Sequence, residues 1–338
     1  MGEKNRVKQV LKKVVFFTDE KKLKESFEQF NIKGFKGKKI PFKLHMGEKG
    51  NKYFPRPKFV KKVVDQLFEY EIKPFLYDTT VAYQAKRHTV KGYKELIEKH
   101  GFSPIKMGCD VVIDDNGKKV TINNWDFYVG DNLYNSSHIF CFSHVKGHIA
   151  TGMGAAIKNF GMGGVTKETK LKMHHASRPQ FNKDKCTYCG VCAEVCPFDA
   201  ITVNKNKWDV SDSKCFGCGV CVDNCRNGGI INEDEELQYL LACAAKACVN
   251  DKNVLYLNDV NRISKGCDCD PLSGPIICPD IGYLLSDDPV AIDKASLDLI
   301  NDIKPDVFKK HNHVDPEKQI KYGEKIGLGS SNYQLIEL

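Results

Sequence analysis

The feature that most constrains this 338-residue chain is a doubled cysteine run past its midpoint. The first run reads Cys186-x2-Cys189-x2-Cys192-x3-Cys196-Pro197 and the second Cys215-x2-Cys218-x2-Cys221-x3-Cys225. Three thiolates this closely spaced wrap one face of a polynuclear iron–sulfur centre, and the doubling calls for two such centres. Structural zinc is the competing reading, but zinc sites draw four ligands from two pairs, not from two runs of four. The chain holds fifteen cysteines in all, and its N-terminus lacks the apolar stretch of an export signal. In a reducing compartment so many thiols point to metal and not to disulfides, and to a cell with little oxygen.

Residues 182–232 resemble the bacterial ferredoxins that carry two [4Fe–4S] clusters, in which the fourth cysteine of each run reaches across to the other cluster. That resemblance implies one cluster on Cys186, Cys189, Cys192 and Cys225, and a second on Cys215, Cys218, Cys221 and Cys196. Gly190, Gly217 and Gly219 would let backbone amides approach the cluster sulfurs. One position departs from the pattern: Cys196 is followed by Pro197, but Cys225 by Arg226, a cation that would favour the reduced cluster.

The flanks alternate strand-like and helix-like segments. VVFF, KIPFKLHMG, KPFLYDT, DVVID, HIFCFSH and NVLYLNDV read as strands; PRPKFVKKVVDQLFEYE, KGYKELIEKHG, EDEELQYLLACAAKACVN and DPVAIDKASLDLIND read as helices. The expectation is an α/β fold: a mostly parallel sheet flanked by helices, interrupted by an inserted α+β ferredoxin-type domain. The boundaries would fall at 1–180, 181–232 and 233–338, although two independent α/β domains would read similarly. In such sheets ligands bind outside the carboxyl ends of the strands. Polar groups gather there: His45 and Glu48; Asp78, Thr79 and Thr80; Ser143, His144, Lys146 and His148; Asn258 and Asp259. For any one of them, a turn or cap role is the bland alternative.

Gly152 and Gly154 read as opening a helix whose amides, with Lys146 and Lys158, would cradle an anion. Ile157 stands where a dinucleotide fingerprint wants Gly or Ala, and no P-loop is present. His144 and His148 form a candidate metal pair. In GCDCDPLSGPIICPDIG, Cys267, Cys269 and Cys278 gather three thiols in a turn-rich loop, a candidate third metal or cluster site with Cys248 as a possible fourth ligand.

Charge is uneven. Residues 1–62 hold 19 Lys/Arg against 6 Asp/Glu, whereas 226–302 hold 6 against 14. The basic part could meet an acidic partner or anionic substrate, but no nucleic-acid-binding motif accompanies it. Mean hydropathy is −0.40, and no apolar run is long enough for a membrane span, so a soluble, cytoplasmic protein is expected. Arg6 fails the N-myristoylation pattern.

KLHMGEKGN, FLYDTTVAY, CFSHVKGH, AAIKNFGMG, the double cysteine run and GCDC…CPDIGYLLSDDPVAIDKASLDLI together resemble the DUF362 iron–sulfur centre proteins, over about residues 39–302. The resemblance implies two [4Fe–4S] clusters and no specific reaction. His45, Asp78, His144, Lys146, His148, Lys158 and Asn159 fall in the family-like segments. The expected function is an iron–sulfur oxidoreductase delivering low-potential electrons to a pocket in the α/β domain. His45, His144, Lys146 and His148 would be its catalytic candidates, and Asp78, Lys158 and Asn159 would hold an anionic ligand. Rival readings are a non-catalytic electron relay docking a redox partner protein, and a metal or cluster carrier using the Cys267–Cys278 loop. A flavin, which needs no short signature, stays compatible with the sequence.

Overall fold

The computed structural model describes residues 11–231 and 236–338. The start of the basic N-terminal stretch and the acids at 233–235 lie outside the described residues. One eight-stranded sheet organises the body. Its strands are β1 (Lys12–Phe17), β2 (Lys39–Lys43), β3 (Lys73–Thr79), β4 (Val111–Asp114), β5 (His138–His144), β6 (Asn253–Val260), β7 (Gly282–Ser286) and β8 (Tyr333–Glu337). They lie in the order β8-β1-β7-β6-β5-β2-β3-β4. All neighbours are parallel except β7, which is antiparallel to both β1 and β6. Five strands precede the cysteine runs and three follow, so a single sheet is built from both flanks; the two-domain alternative fails.

Helices cover both faces. On one side pack α1 (Pro57–Glu69) and α2 (Val90–Lys99); on the other α3 (Ala156–Gly161), α4 (Lys167–Ala176), α5 (Leu237–Val249), α6 (Pro289–Ile303) and α7 (Glu317–Lys325). Pro57 starts α1, where its missing N–H costs nothing, and Phe59, Val60, Val63, Val64 and Leu67 form its buried stripe. Along the strands, successive residues feed opposite cores: Val14 and Val15, Tyr256 and Leu257, Leu284 and Leu285 divide between the two clusters. This is the two-residue period of a sheet buried on both faces. Each such side chain contributes about 1.5–3 kcal/mol by leaving water.

The chain lays down β2, β3 and β4 in one direction and β5 and β6 in the other. The reversal falls between β2 and β5, joined only by the pairs Phe42↔Phe140 and Lys43↔Cys141. At such a switch point the loops leaving the two strands diverge and open a crevice at their carboxyl ends.

The segment with the cysteine runs enters at Gln180–Phe181 and leaves at Ile230–Ile231, two short strands paired antiparallel. Between them lie a hairpin, Ile201–Asn204 with Lys207–Val210, and two single-turn helices, Val191–Glu194 and Val220–Asp223. The halves echo each other. Gly190 and Gly219, each one residue after a cysteine, have φ of 82° and 80° and start the two helical turns.

Candidate functional site

Within the insert, a small pocket is lined by Cys196 from the first run and by Cys215, Cys218 and Cys221 from the second. Pro197, Phe198, Ile201 and Phe216 add apolar walls. Backbone amides aim at the sulfurs: Tyr188 N donates to Cys186 Sγ, Ala200 N to Cys196 Sγ and Ile230 N to Cys225 Sγ, each at 3.3 Å. Burial raises the Cys218 thiol to about 11, and the neighbouring Cys196 and Cys215 push the same way. Burial also raises the Cys221 thiol, with Cys218, Cys215 and Cys196 adding to it. Thiols crowded in this way resist ionising unless a cation takes the charge.

The pocket abuts the α/β body. Phe216 sets its ring edge-on to His174 of α4, centroids 5.8 Å apart, and its carbonyl accepts from His174 Nδ1 at 3.0 Å. Gly217 has φ of 65°, and a Cβ there would lie 2.0 Å from Ser177 Oγ; only glycine permits this approach. Arg178 to Asp212 at 2.6 Å and Lys318 to Asp223 at 3.1 Å add ion pairs across the join.

At the switch point, Lys43 ends β2 fully buried, its Nζ 2.6 Å from Asn159 Oδ1 and 3.0 Å from Asp78 Oδ1. Asp78 Oδ2 also accepts from the Tyr93 hydroxyl. Asn159 turns its Nδ2 to Phe142 O and Ser143 Oγ, both at 2.9 Å. Leaving either charge of such a pair unpartnered costs about 3–5 kcal/mol. One layer outward, Arg87 Nε donates to Glu48 Oε2 at 2.9 Å and Nη1 to His45 Nε2 at 2.8 Å, and Nη2 meets the Tyr83 hydroxyl. Burial, reinforced by the Arg87 charge, holds His45 well below its ordinary value, as a neutral acceptor.

His144, at the end of β5, is locked. Its Nδ1 meets Asp268 Oδ1 at 2.8 Å and its Nε2 meets Asn261 O at 2.9 Å. Lys146 Nζ donates to His144 O at 2.8 Å and lies 3.3 Å from Asp268 Oδ2. Burial works to raise the Asp268 carboxyl, but His144 and Lys146 hold it below its ordinary value. On either side of Asp268, Cys267 and Cys269 turn toward His148, and one ligand atom from each of the three lies within 4.8 Å of the others. The hydrogen bond from Cys269 pulls the Cys267 thiol well below its ordinary value; burial opposes it, and Lys158 and Lys146 support it. Lys158 Nζ is 3.8 Å from Cys267 Sγ.

The structure therefore regroups the residues expected from the sequence. His45, Asp78, Asn159, His144 and Lys146 meet at the carboxyl edge, but His144 and His148 do not form a pair: His144 faces Asp268 and His148 faces the thiols. Cys278 is not in the thiol group among the described residues; it is buried in the main core, where the return strand leads it away through Ile277 N to Ile263 O, 2.8 Å. Cys248 is also elsewhere, against Phe160 O, its thiol raised to about 12 by burial. Gly152 and Gly154 do not open a helix. They form a strand, Gly152–Gly154, antiparallel to Lys146–His148, and α3 begins at Ala156. Its first amides do not cradle a ligand, because the Asp293 carboxylate accepts from Ala156 N and Ile157 N at 2.9 and 2.8 Å. Lys43, Arg87, Lys170, Asp268 and Asp293 escaped the sequence reading. Lys43 carried a signal, a charge at an inward position of an apolar strand, as did Asp268 between two cysteines.

No curated protein sequence matches this chain. Among solved structures, the lactate racemase apoprotein of Thermoanaerobacterium thermosaccharolyticum is similar at 11% identity and a TM-score of 0.39, over 73% of this chain and 50% of that one. A Thermotoga maritima protein solved by the Northeast Structural Genomics Consortium is similar at 10% identity and a TM-score of 0.40, over 71% and 50%. The chain thus spans about half the length of both. The model of a family described as a domain of unknown function, DUF362, matches residues 40–298, well over half of the sequence, and the chain belongs to that family.

Proposed function

We propose that this protein is an iron–sulfur oxidoreductase in which two [4Fe–4S] clusters pass electrons to the polar groups at the carboxyl edge of the α/β body. The observation that carries the reading is the pocket lined by Cys196 together with Cys215, Cys218 and Cys221, a set that combines one cysteine from one run with three from the other. Cys186, Cys189, Cys192 and Cys225 would hold the second cluster. When bound, such clusters supply one-electron transfer at low potential. The chain's part is to stabilise negative charge on sulfur through the Tyr188, Ala200 and Ile230 amides. Cys189 is exposed, which suits an entry side for a redox partner. Phe216 and His174 supply a packed route from the Cys196 pocket toward the body. Lys146 and Lys158, beside the thiols, suit an anionic substrate. Both nitrogens of His144 face oxygen acceptors, and His45 would take a proton only when the Arg87 contact to its Nε2 opens.

The test is iron and acid-labile sulfide on protein purified without oxygen, with about eight of each expected per chain. Cys196→Ser should lower both by about half. A chain that takes up no iron, or fills its cysteine runs with zinc, would overturn the reading. For His45, the measurement is the rate at which reduced protein passes electrons to a proton-consuming acceptor. A His45→Ala variant with full iron and an unchanged rate removes it from that role.

A further inference from the structure

We propose that His148, Cys267 and Cys269 bind a single thiophilic metal ion of the zinc class, separate from the eight cysteines of the two runs, with its fourth coordination position open beside Lys158. The ion site stands whether or not the clusters are present; only its use as a destination for electrons rests on the function proposed above.

The donors are already gathered. One ligand atom from each residue lies within 4.8 Å of the other two. Zinc–sulfur and zinc–nitrogen bonds of about 2.3 and 2.0 Å place tetrahedral neighbours roughly 3.4–3.8 Å apart. Small side-chain rotations therefore close the group around one ion. Two thiolates and an imidazole select a borderline or soft cation over calcium or magnesium.

The surroundings are built to hold this arrangement. Asp268 is held by His144 and Lys146, and the cysteines on either side of it gather with His148. Asp270 N donates to Cys267 O at 2.9 Å, and Asn51 Nδ2 binds Asp270 O at 2.8 Å, so the Cys-Asp-Cys turn is pinned from two directions. The hairpin that carries His148 is stitched to the cysteine loop by Gly147 N to Ser264 O, 2.8 Å. The Thr151 hydroxyl gives its proton to Met153 O at 2.8 Å and lies 3.1 Å from His148 Nδ1. The Ala150 amide donates to that nitrogen at 3.2 Å, so two contacts orient the ring. Binding a metal through Nε2 would place the ring proton on Nδ1, with the Thr151 hydroxyl as its acceptor and the Ala150 contact given up.

Three protein ligands with a fourth place open is the pattern of catalytic zinc, not structural zinc. The Lys158 ammonium, 3.8 Å from Cys267 Sγ, makes an anion the favoured fourth ligand.

The experiment measures zinc and iron together on the full chain, purified without oxygen from zinc-supplemented medium, with zinc-edge X-ray absorption on the same sample. The expected result is one zinc per chain with two sulfurs at about 2.3 Å and two light atoms at about 2.0 Å. His148→Ala and Cys269→Ser should each lower retained zinc at least tenfold with iron unchanged. His148 is only half-buried, so its variant should keep the fold, and unchanged iron reports that it has. The proposal is overturned by zinc that survives both substitutions, by a shell of three or four sulfurs, or by a Cys267–Cys269 disulfide in the native chain. Low iron with normal zinc would sink the cluster reading and leave this one standing.

Discussion

At the scale of single residues, the molecule keeps several charges in places where a sequence reading expects apolar side chains. Lys170 of α4 is one. It is buried, and its Nζ donates to Thr79 Oγ1 at 2.7 Å and to Thr80 O. Burial lowers its ammonium to about 7; Asp78 and Asp115 oppose the shift, and Lys43 and Arg87 add to it. The sign follows from where the proton sits. Between about 7 and the ordinary lysine value near 10.4, the unfolded chain binds a proton that the folded chain does not. Raising the pH through that window therefore stabilises the fold. From pH 7 to 9, this one group should add about 2 kcal/mol. Lys170→Met should lack that increment, and the difference between the two unfolding profiles against pH measures it. Parallel profiles would mean that Lys170 stays charged inside.

At the scale of elements, the decisive contact is between the His148 hairpin and the cysteine loop. Gly147 lets them touch: a Cβ there would lie 2.0 Å from Lys265 O and 2.8 Å from Asn312 Nδ2. Gly147→Ala must push the loop outward, and backbone atoms have little room to yield. The expected outcome is at least a tenfold loss of retained zinc with iron unchanged, read by metal analysis. Zinc retention equal to the parent would show that the hairpin and loop are not mutually positioned. This contact also marks the limit of what was legible beforehand. The strands of the parallel core and helices α1, α2 and α6 follow from apolar period and end signals, because burial on both faces writes itself into runs such as HIFCFSH. Strand direction does not: GYLLS reads the same whichever way it runs, so β7's reversal was invisible. Gly152 and Gly154 read as a helix start because glycine marks any tight approach, and their strand comes from pairing with Lys146–His148. Cys278 was grouped with Cys267 by proximity in sequence, whereas His148, more than a hundred residues earlier, was the partner in space.

At the scale of the whole molecule, two bodies of very different self-sufficiency are joined. The α/β body has extensive cores on both faces of its sheet. The insert's buried core comprises Cys192, Ile201, Cys221 and Ile230, two of them cysteines of the runs. A unit of about fifty residues with so little apolar burial needs metal or another staple to fold, and here two cysteines proposed as cluster ligands are half of that core. Anaerobic removal of iron by a chelator under reduction should therefore unfold residues 180–231 and leave the sheet intact. Hydrogen exchange would report this directly: amides in the Ile201–Asn204 and Lys207–Val210 hairpin should lose protection, while β5 and β6 keep theirs. The adjoining strands Gln180–Phe181 and Ile230–Ile231 hold the insert's two ends side by side, so its unfolding need not pull on β5 or β6. The place to watch is α4, whose His174 bonds Phe216 O. If α4 also loses protection, the route from the Cys196 pocket to the Lys158 side of the crevice exists only with the clusters in place. If the hairpin stays protected without iron, the insert folds on its own packing, and the cluster reading loses its main structural argument.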